Sequence, residues 1–489
     1  MATLPIDSMT ANNSLTVDTL VDENDGDFSA GDLSLREALI LSKDGGNIKF
    51  SSSLAGGTIL LTQGQLVIDK ALTIKGLGAD KLTISGNNAS SVFKIDDAQS
   101  SVNSRVFIDG LTIANGFVDE SLGNPYGAGI SNEEALKLTN TVIRDNRAAF
   151  GGGIHNSGDL YIDNSTINNN FAEFGGGGIS SGDIEGRGVI LTLTNTTVSG
   201  NRTNGGGGGI SNGATSRLIV NSSTIYQNTA ALGGGVSGHA LTINNTIIAG
   251  NLDNDSSNGN QPDVVGNFTT THSNLIGDGT GSTSFTNGVN GNQVGNSITP
   301  IDPRLSFLQN SGGSTLTHPL LEGSPAIDTA NPGGNIGVDQ RGVARPQGNG
   351  YDIGAFEVTQ ADSNPSNILK VNAQDFKAGI QAGLGQLSAL LSSDLAGASL
   401  PILGSLGDRY VPEFLKTLNS SLVSGMDSPE MVLNDFVTRL KKNLPGVIVA
   451  VDESSQQIEI TLSKADNQTK PVSLDSNLGI PLLNLSTSG

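Results

Sequence analysis

One feature limits what this chain can fold into: a repeat whose positions stay in phase while its length varies. Glycine runs end in an aliphatic residue at Ile130, Ile154, Ile179, Ile210 and Val236. Each is followed by an aliphatic column (Leu136, Leu160, Leu191, Leu218, Leu241) and a second one two residues on (Leu138, Ile162, Leu193, Val220, Ile243). Then come a polar column (Asn140, Asn164, Asn195, Ser222, Asn245), an aliphatic one (Ile143, Ile167, Val198, Ile225, Ile248) and an asparagine one (Asn146, Asn170, Asn201, Asn228, Asn251). The extra residues fall between the glycine run and the first leucine, so insertions are confined to one connection, as in a stacked coil.

Alternation at period two makes these segments strands with one buried face. None is long enough to bury that face alone. Stacked in parallel register, about 4.8 Å apart, they bury continuous columns and pair every backbone group with a neighbour. Inward asparagines in both polar columns can then donate to one rung and accept from the other. The expected fold is an all-β right-handed parallel β-helix, a solenoid. Val106, Ile108, Gly110 and Ile113 fit one coil earlier, and short strands separated by glycine turns run back to Thr58. After Asn254 the pattern loosens.

Ser34 to Glu37 is a capping-box helix start before an apolar run, and a cap helix there would cover the open strand edges at the N-terminal mouth. Glycine and asparagine thin out beyond the polar, turn-rich residues 362–367. The organisation predicted is a cap over 1–57, a β-helix over 58–300, a closing segment and linker over 301–364, and a small α+β module over 365–489. In that module Ser428 and Pro429 open a helix, and residues 447–451 and 457–462 alternate as a hairpin.

Composition narrows the function. With 47 Asp+Glu against 26 Lys+Arg the formal charge is −21, which argues against a nucleic-acid partner or a polybasic membrane surface. There is no cysteine, so disulfides, thiolate metal sites and a cysteine nucleophile are excluded. No apolar run reaches the roughly 18 residues of a membrane span. Residues 1–13 lack the basic start and apolar stretch of a cleavable secretion signal. A cytoplasmic protein, export by another route, and a piece of a longer chain all stay open.

Three stretches carry a resemblance. Residues 16–21 with Asp32-Leu-Ser-Leu-Arg-Glu-Ala38 resemble the bacterial CSLREA domain, without that signature's cysteine. The glycine and asparagine repeat resembles the polymorphic outer-membrane protein repeat and the pectate-lyase-like superfold. Ser324-Pro-Ala-Ile-Asp328, Asp339-Gln-Arg-Gly342 and Asp352-Ile-Gly-Ala-Phe-Glu357 resemble the closing signature of choice-of-anchor Q proteins. Together they span about residues 16–357 and imply a secreted or surface bacterial protein, with no catalytic set carried over. The 365–489 module resembles a spacer module of very large bacterial surface proteins.

A β-helix acting on polysaccharide would need outward carboxylates or a cationic base. Asp109 and Asp163 lie two coils apart, roughly 10 Å, at the edge of what an inverting pair spans. Lys137 and Tyr161 lie on the same outward face, where the ring could stack on a sugar. Asp96 and Asp97 are similar to a polygalacturonase carboxylate pair but lack its companion motifs. His155, His239, His272 and His318 are dispersed, without metal spacing, and read as turn or surface residues. The acidic loop at Asp22, Asn24, Asp25 and Asp27 offers hard oxygen ligands for calcium but fails the EF-hand pattern; no other cofactor is expected. Asp339, Arg341 and Asp352 read as an ion-pair network closing the solenoid's end. The leading expectation is a non-enzymatic extracellular or cell-surface solenoid, an adhesin or spacer, with carbohydrate or another surface protein as partner. The alternatives are a polysaccharide lyase or hydrolase and a calcium-stabilised surface module.

Overall fold

The computed structural model describes residues 14–99, 104–118, 125–182, 188–255, 261–334, 337–360 and 362, with the backbone of six short strands beyond. Its contacts divide the chain into Met1–Thr359 and Gln360–Gly489.

The first unit is a parallel β-solenoid. Every strand pair within its three sheets is parallel, and the sheets form three walls with 16, 10 and 5 strands. The register stacks like on like: Leu136 over Leu160, Leu160 over Leu191, Leu191 over Leu218 and Leu218 over Leu241. All five leucines are fully buried. At about 1.5–3 kcal/mol for each buried aliphatic side chain, these files supply the main driving force. The strands start before residue 58: Ser14–Val17 pairs with Gly46–Phe50, which pairs with Leu72–Lys75. They also continue through the loosened stretch, as Val264–His272, Leu275–Ile276 and Gln293–Val294.

Of the two polar columns, only the second forms a continuous ladder; the first keeps a single rung-to-rung bond, from Asn195 Nδ2 to Asn164 Oδ1 at 3.3 Å. Nδ2 of Asn146, Asn170, Asn201 and Asn228 each donates to the Oδ1 of the next asparagine at 2.9 Å. Asn251 ends the file by donating to Asp263 Oδ1 at 2.8 Å. The first column turns instead. Asn140, Asn164, Asn195 and Asn245 have φ between 48° and 50°, the left-handed region that asparagine tolerates at corners. Asn195 and Asn245 then bond outward, to Val338 O and Asn331 O. Their column is polar because it turns the chain.

A short helix, Leu35–Leu41, begins at Ser34 with a complete capping box: Glu37 N–H donates to Ser34 Oγ, and Ser34 N–H to Glu37 Oε2, both at 3.1 Å. Leu35, Ala38 and Leu39 join the apolar cluster that holds Ile48 and Leu66. In the second unit, Val447–Asp452 and Gln457–Leu462 pair antiparallel, as the alternation predicts. Glu430–Met431, where the sequence opens a helix, instead pairs antiparallel with Val371–Asn372 as a short strand; the remaining residues of the expected helix lie outside the described residues.

Residues 301–358 correct an expectation. They do not close an end; they lie along the outer face of the ten-stranded wall. Ser199 Oγ meets His318 Nε2 at 2.8 Å, Thr197 donates to Gln340 Oε1 at 2.6 Å, and Ala355 N–H donates to Thr224 Oγ1 at 3.0 Å. Leu305, Leu320, Ile353 and Phe356 pack on Ile247, Ala249 and Leu275. The outward residues of those late strands are small or apolar because this segment covers them.

Candidate functional site

The long sheet turns two adjacent files outward. Phe107, Lys137, Tyr161 and Thr192 stack in register, and two residues on, Asp109, Thr139, Asp163 and Thr194 do the same. Asp109 and Asp163 are thus two rungs apart, as the repeat predicts. Neither carboxylate stands alone. Lys137 Nζ lies 2.8 Å from Asp163 Oδ2, and Asn140 Nδ2 donates to Asp109 Oδ1 at 2.9 Å. Phe107 and Tyr161 are exposed on either side of Lys137.

Among the described residues, one group of three carboxylates brings its ligand atoms within 4.8 Å of one another: Asp96, Asp97 and Glu134. The aspartates are adjacent in sequence and legible there; Glu134 lies far off, and only the coil brings it near. Asp96 pairs with Lys94 at 2.8 Å. Glu134 accepts the Ser104 N–H at 2.9 Å and the Asp97 N–H at 3.3 Å. Burial pushes its carboxyl up to about 7, the value of a neutral-pH proton donor. Yet it is only 4 % exposed, which keeps it out of reach of a polysaccharide.

Asp22, the first residue of the acidic loop, is buried and faces Arg36 at 2.7 Å. It also accepts the N–H groups of Thr62 and Gln63. Burial works to raise its pKa, but Arg36 and those backbone donors outweigh it and hold the carboxyl below its usual value. Asp25 and Asp27 accept backbone N–H groups two residues on. These oxygens hold the loop's own turns.

Two of the histidines are buried, contrary to the surface reading. His318 lies between Ser306 O, at 2.7 Å from Nδ1, and Ser199 Oγ, with Tyr226 edge-on at 5.0 Å. His155 stacks on Tyr126 at 4.4 Å. Burial pushes both imidazoles down to about 4. His239 is exposed, and His272 ends the strand Val264–His272. In the docked segment Arg341 pairs with Asp339 at 2.9 Å, and Arg345, unforeseen from the sequence, pairs with Glu357 at 3.1 Å. Asp352 instead accepts the N–H groups of Asp328 and Val358.

The third wall, with strands Arg147–Phe150, Phe171–Gly175, Arg202–Thr203, Thr229–Ala230 and Leu252–Asp253, was not foreseen as a surface. One outward file runs Phe117, Arg147, Phe171, Arg202. The Arg147 guanidinium sits 4.5 Å over the Phe171 ring. Beside it, Tyr126, Phe150 and Phe174 pack as tilted rings at centroid spacings of 5.6 and 5.3 Å. The signal was present: Arg147, Phe171 and Arg202 each follow a ladder asparagine.

No family model matches the chain, and no curated protein matches it. Among solved structures, the crystal structure of pectate lyase Pel9A matches with a TM-score of 0.41 and 13 % identity, over 71 % of this chain and 96 % of that one.

Proposed function

We propose that this chain is a non-enzymatic, extracellular or cell-surface β-solenoid protein used for adhesion or as a spacer. The reading rests chiefly on one observation. The outward carboxylates placed for glycan chemistry, Asp109 and Asp163, are taken up by Asn140 and Lys137. The resemblance of residues 16–38 to the CSLREA domain, and of 324–357 to choice-of-anchor Q proteins, supports a surface location. In this reading the helix Leu35–Leu41 covers the N-terminal strand edges, an end that a solenoid must protect.

The test is to incubate the protein with acidic and neutral polysaccharides and assay new reducing ends and unsaturated products. No turnover is expected. Turnover that disappears in Asp163→Ala would overturn the proposal and establish the lyase or hydrolase reading.

A further inference from the structure

We infer that the third wall is the face on which two copies of this chain pair, turned end for end about a two-fold axis that runs between the rungs of Phe171 and Arg202. The inference goes beyond the proposed function and holds whether or not the chain is an enzyme. It starts from a knob and a hole. Ala148 pairs with Ala172 but Phe150 pairs with Gly175, so the rung of Phe171 carries one residue more than the rung before. Such a bulge re-aims a side chain, and Phe174 stands out from it, 53 % exposed. On the next rung Thr203 pairs with Ala172 and Gly206 with Gly175, so Asn204 and Gly205 take the places that Glu173 and Phe174 hold. A Cβ on Gly205 would run into the Phe174 carbonyl oxygen, so that place stays bare.

A closed two-fold contact needs a patch complementary to itself. An axis lying across the rungs keeps each file over its own counterpart and reverses the order of the rungs. Phe174 of each copy then fills the bare place at Gly205 of the other. The outer file runs Phe117, Arg147, Phe171, Arg202, Thr229, Leu252. The same operation sets Phe171 against Arg202, a guanidinium on a ring like the one Arg147 already places 4.5 Å from Phe171 within the chain. It sets Phe117 against Leu252, which is 61 % exposed, and in the neighbouring file Phe150 against Leu232. Charge selects a second copy as the occupant. At −21 two copies repel over most approaches, but on this wall Arg147 and Arg202 balance Glu173 and Asp253. Glu173, 4.0 Å from Arg147 in its own copy, comes diagonally beside Arg202 of the other, within reach of long side chains. Six rungs spaced about 4.8 Å apart make a small face, which suits a weak, concentration-dependent dimer rather than an obligate one.

The experiment is sedimentation equilibrium of the full chain over a range of concentrations. The parent should pass from monomer to dimer and no further. Phe174→Ala, Arg202→Glu and Glu173→Arg should each weaken the dimer at least tenfold, while Phe107→Ala, on the other wall, should pair as the parent does. The decisive arm mixes two variants. Arg202→Glu and Glu173→Arg each put like charges across the axis when paired with themselves, but opposite charges when paired with each other. An equimolar mixture should therefore recover dimer that neither forms alone, which a variant that had merely lost its fold could not do. A parent that stays monomeric up to about 1 mM, the dissociation constant of a contact worth only about 4 kcal/mol, would overturn the inference. So would a dimer that survives Phe174→Ala, a mixture that stays monomeric, or species that keep growing past the dimer. Turnover of a polysaccharide would refute the non-enzymatic reading and leave this contact standing.

Discussion

Replacing Asn201 with alanine should cost about 2–6 kcal/mol, while the same change at Asn164 should cost about 1. Asn201 is fully buried in the middle of the ladder. Its Oδ1 accepts Asn170 N–H at 3.0 Å and Asn170 Nδ2 at 2.9 Å, and its Nδ2 donates to Asn228 Oδ1 and Ile167 O, both at 2.9 Å. Alanine deletes all four bonds. It strands two buried donors, the backbone N–H and one amide hydrogen of Asn170. A buried group left unsatisfied costs about 1–3 kcal/mol, which gives the range before any cavity is counted. Asn164 is half-buried, with φ at 50°. Alanine there loses left-handed tolerance, roughly 1–2 kcal/mol, and the long 3.3 Å bond its Oδ1 accepts from Asn195 Nδ2, which keeps Val338 O as a partner. Glycine inverts the comparison: Asn164→Gly should be close to neutral, because glycine accepts positive φ, whereas Asn201→Gly should be as damaging as alanine. Urea unfolding followed by far-ultraviolet circular dichroism measures all four variants. The reasoning fails if Asn201→Ala is no worse than Asn164→Ala, or if Asn164→Gly matches Asn201→Gly.

Three further outcomes follow from the same geometry. Burial at the end of the ladder pushes the Asp263 carboxyl up from 3.8 to about 7, so the folded chain holds a proton that the unfolded chain releases. Its stabilising contribution is complete below about pH 3.8 and lost as pH rises through about 7. The melting temperature of the parent should therefore fall with rising pH relative to Asp263→Asn; parallel curves would refute this. His155 and His318, lowered to about 4, oppose it in part of that window but are common to both proteins, so the difference isolates Asp263. Gly178→Ala should impair folding, because its Cβ would lie 2.6 Å from the Gly209 carbonyl oxygen on the next rung, where neither backbone can yield without breaking the stack; a parent-like melting curve would contradict it. Ser34→Ala should destabilise the helix Leu35–Leu41 by about 1 kcal/mol through loss of its cap, read as faster amide exchange in that segment alone; unchanged exchange would count against the cap.

The sequence by itself determined the solenoid. Leu136, Leu160, Leu191, Leu218 and Leu241 could be aligned without coordinates because a stacked coil imposes the same local environment on each rung, and the structure stacks them in that order. The capping box at Ser34 was legible for the same reason: it is a short-range pattern. Tertiary structure decided everything that depends on contacts between distant parts of the chain. It separated the two asparagine columns, one laddered inside and one turning at the corners, which share a residue type but not a backbone conformation. It laid residues 301–358 along a wall, buried His318 there, paired Arg345 with Glu357, and drew Glu134 to Asp96 and Asp97. It also built the surface around Phe174 and Arg202. A repeat specifies what lies above and below each residue; it does not specify which non-repeating segment comes to rest against the outside.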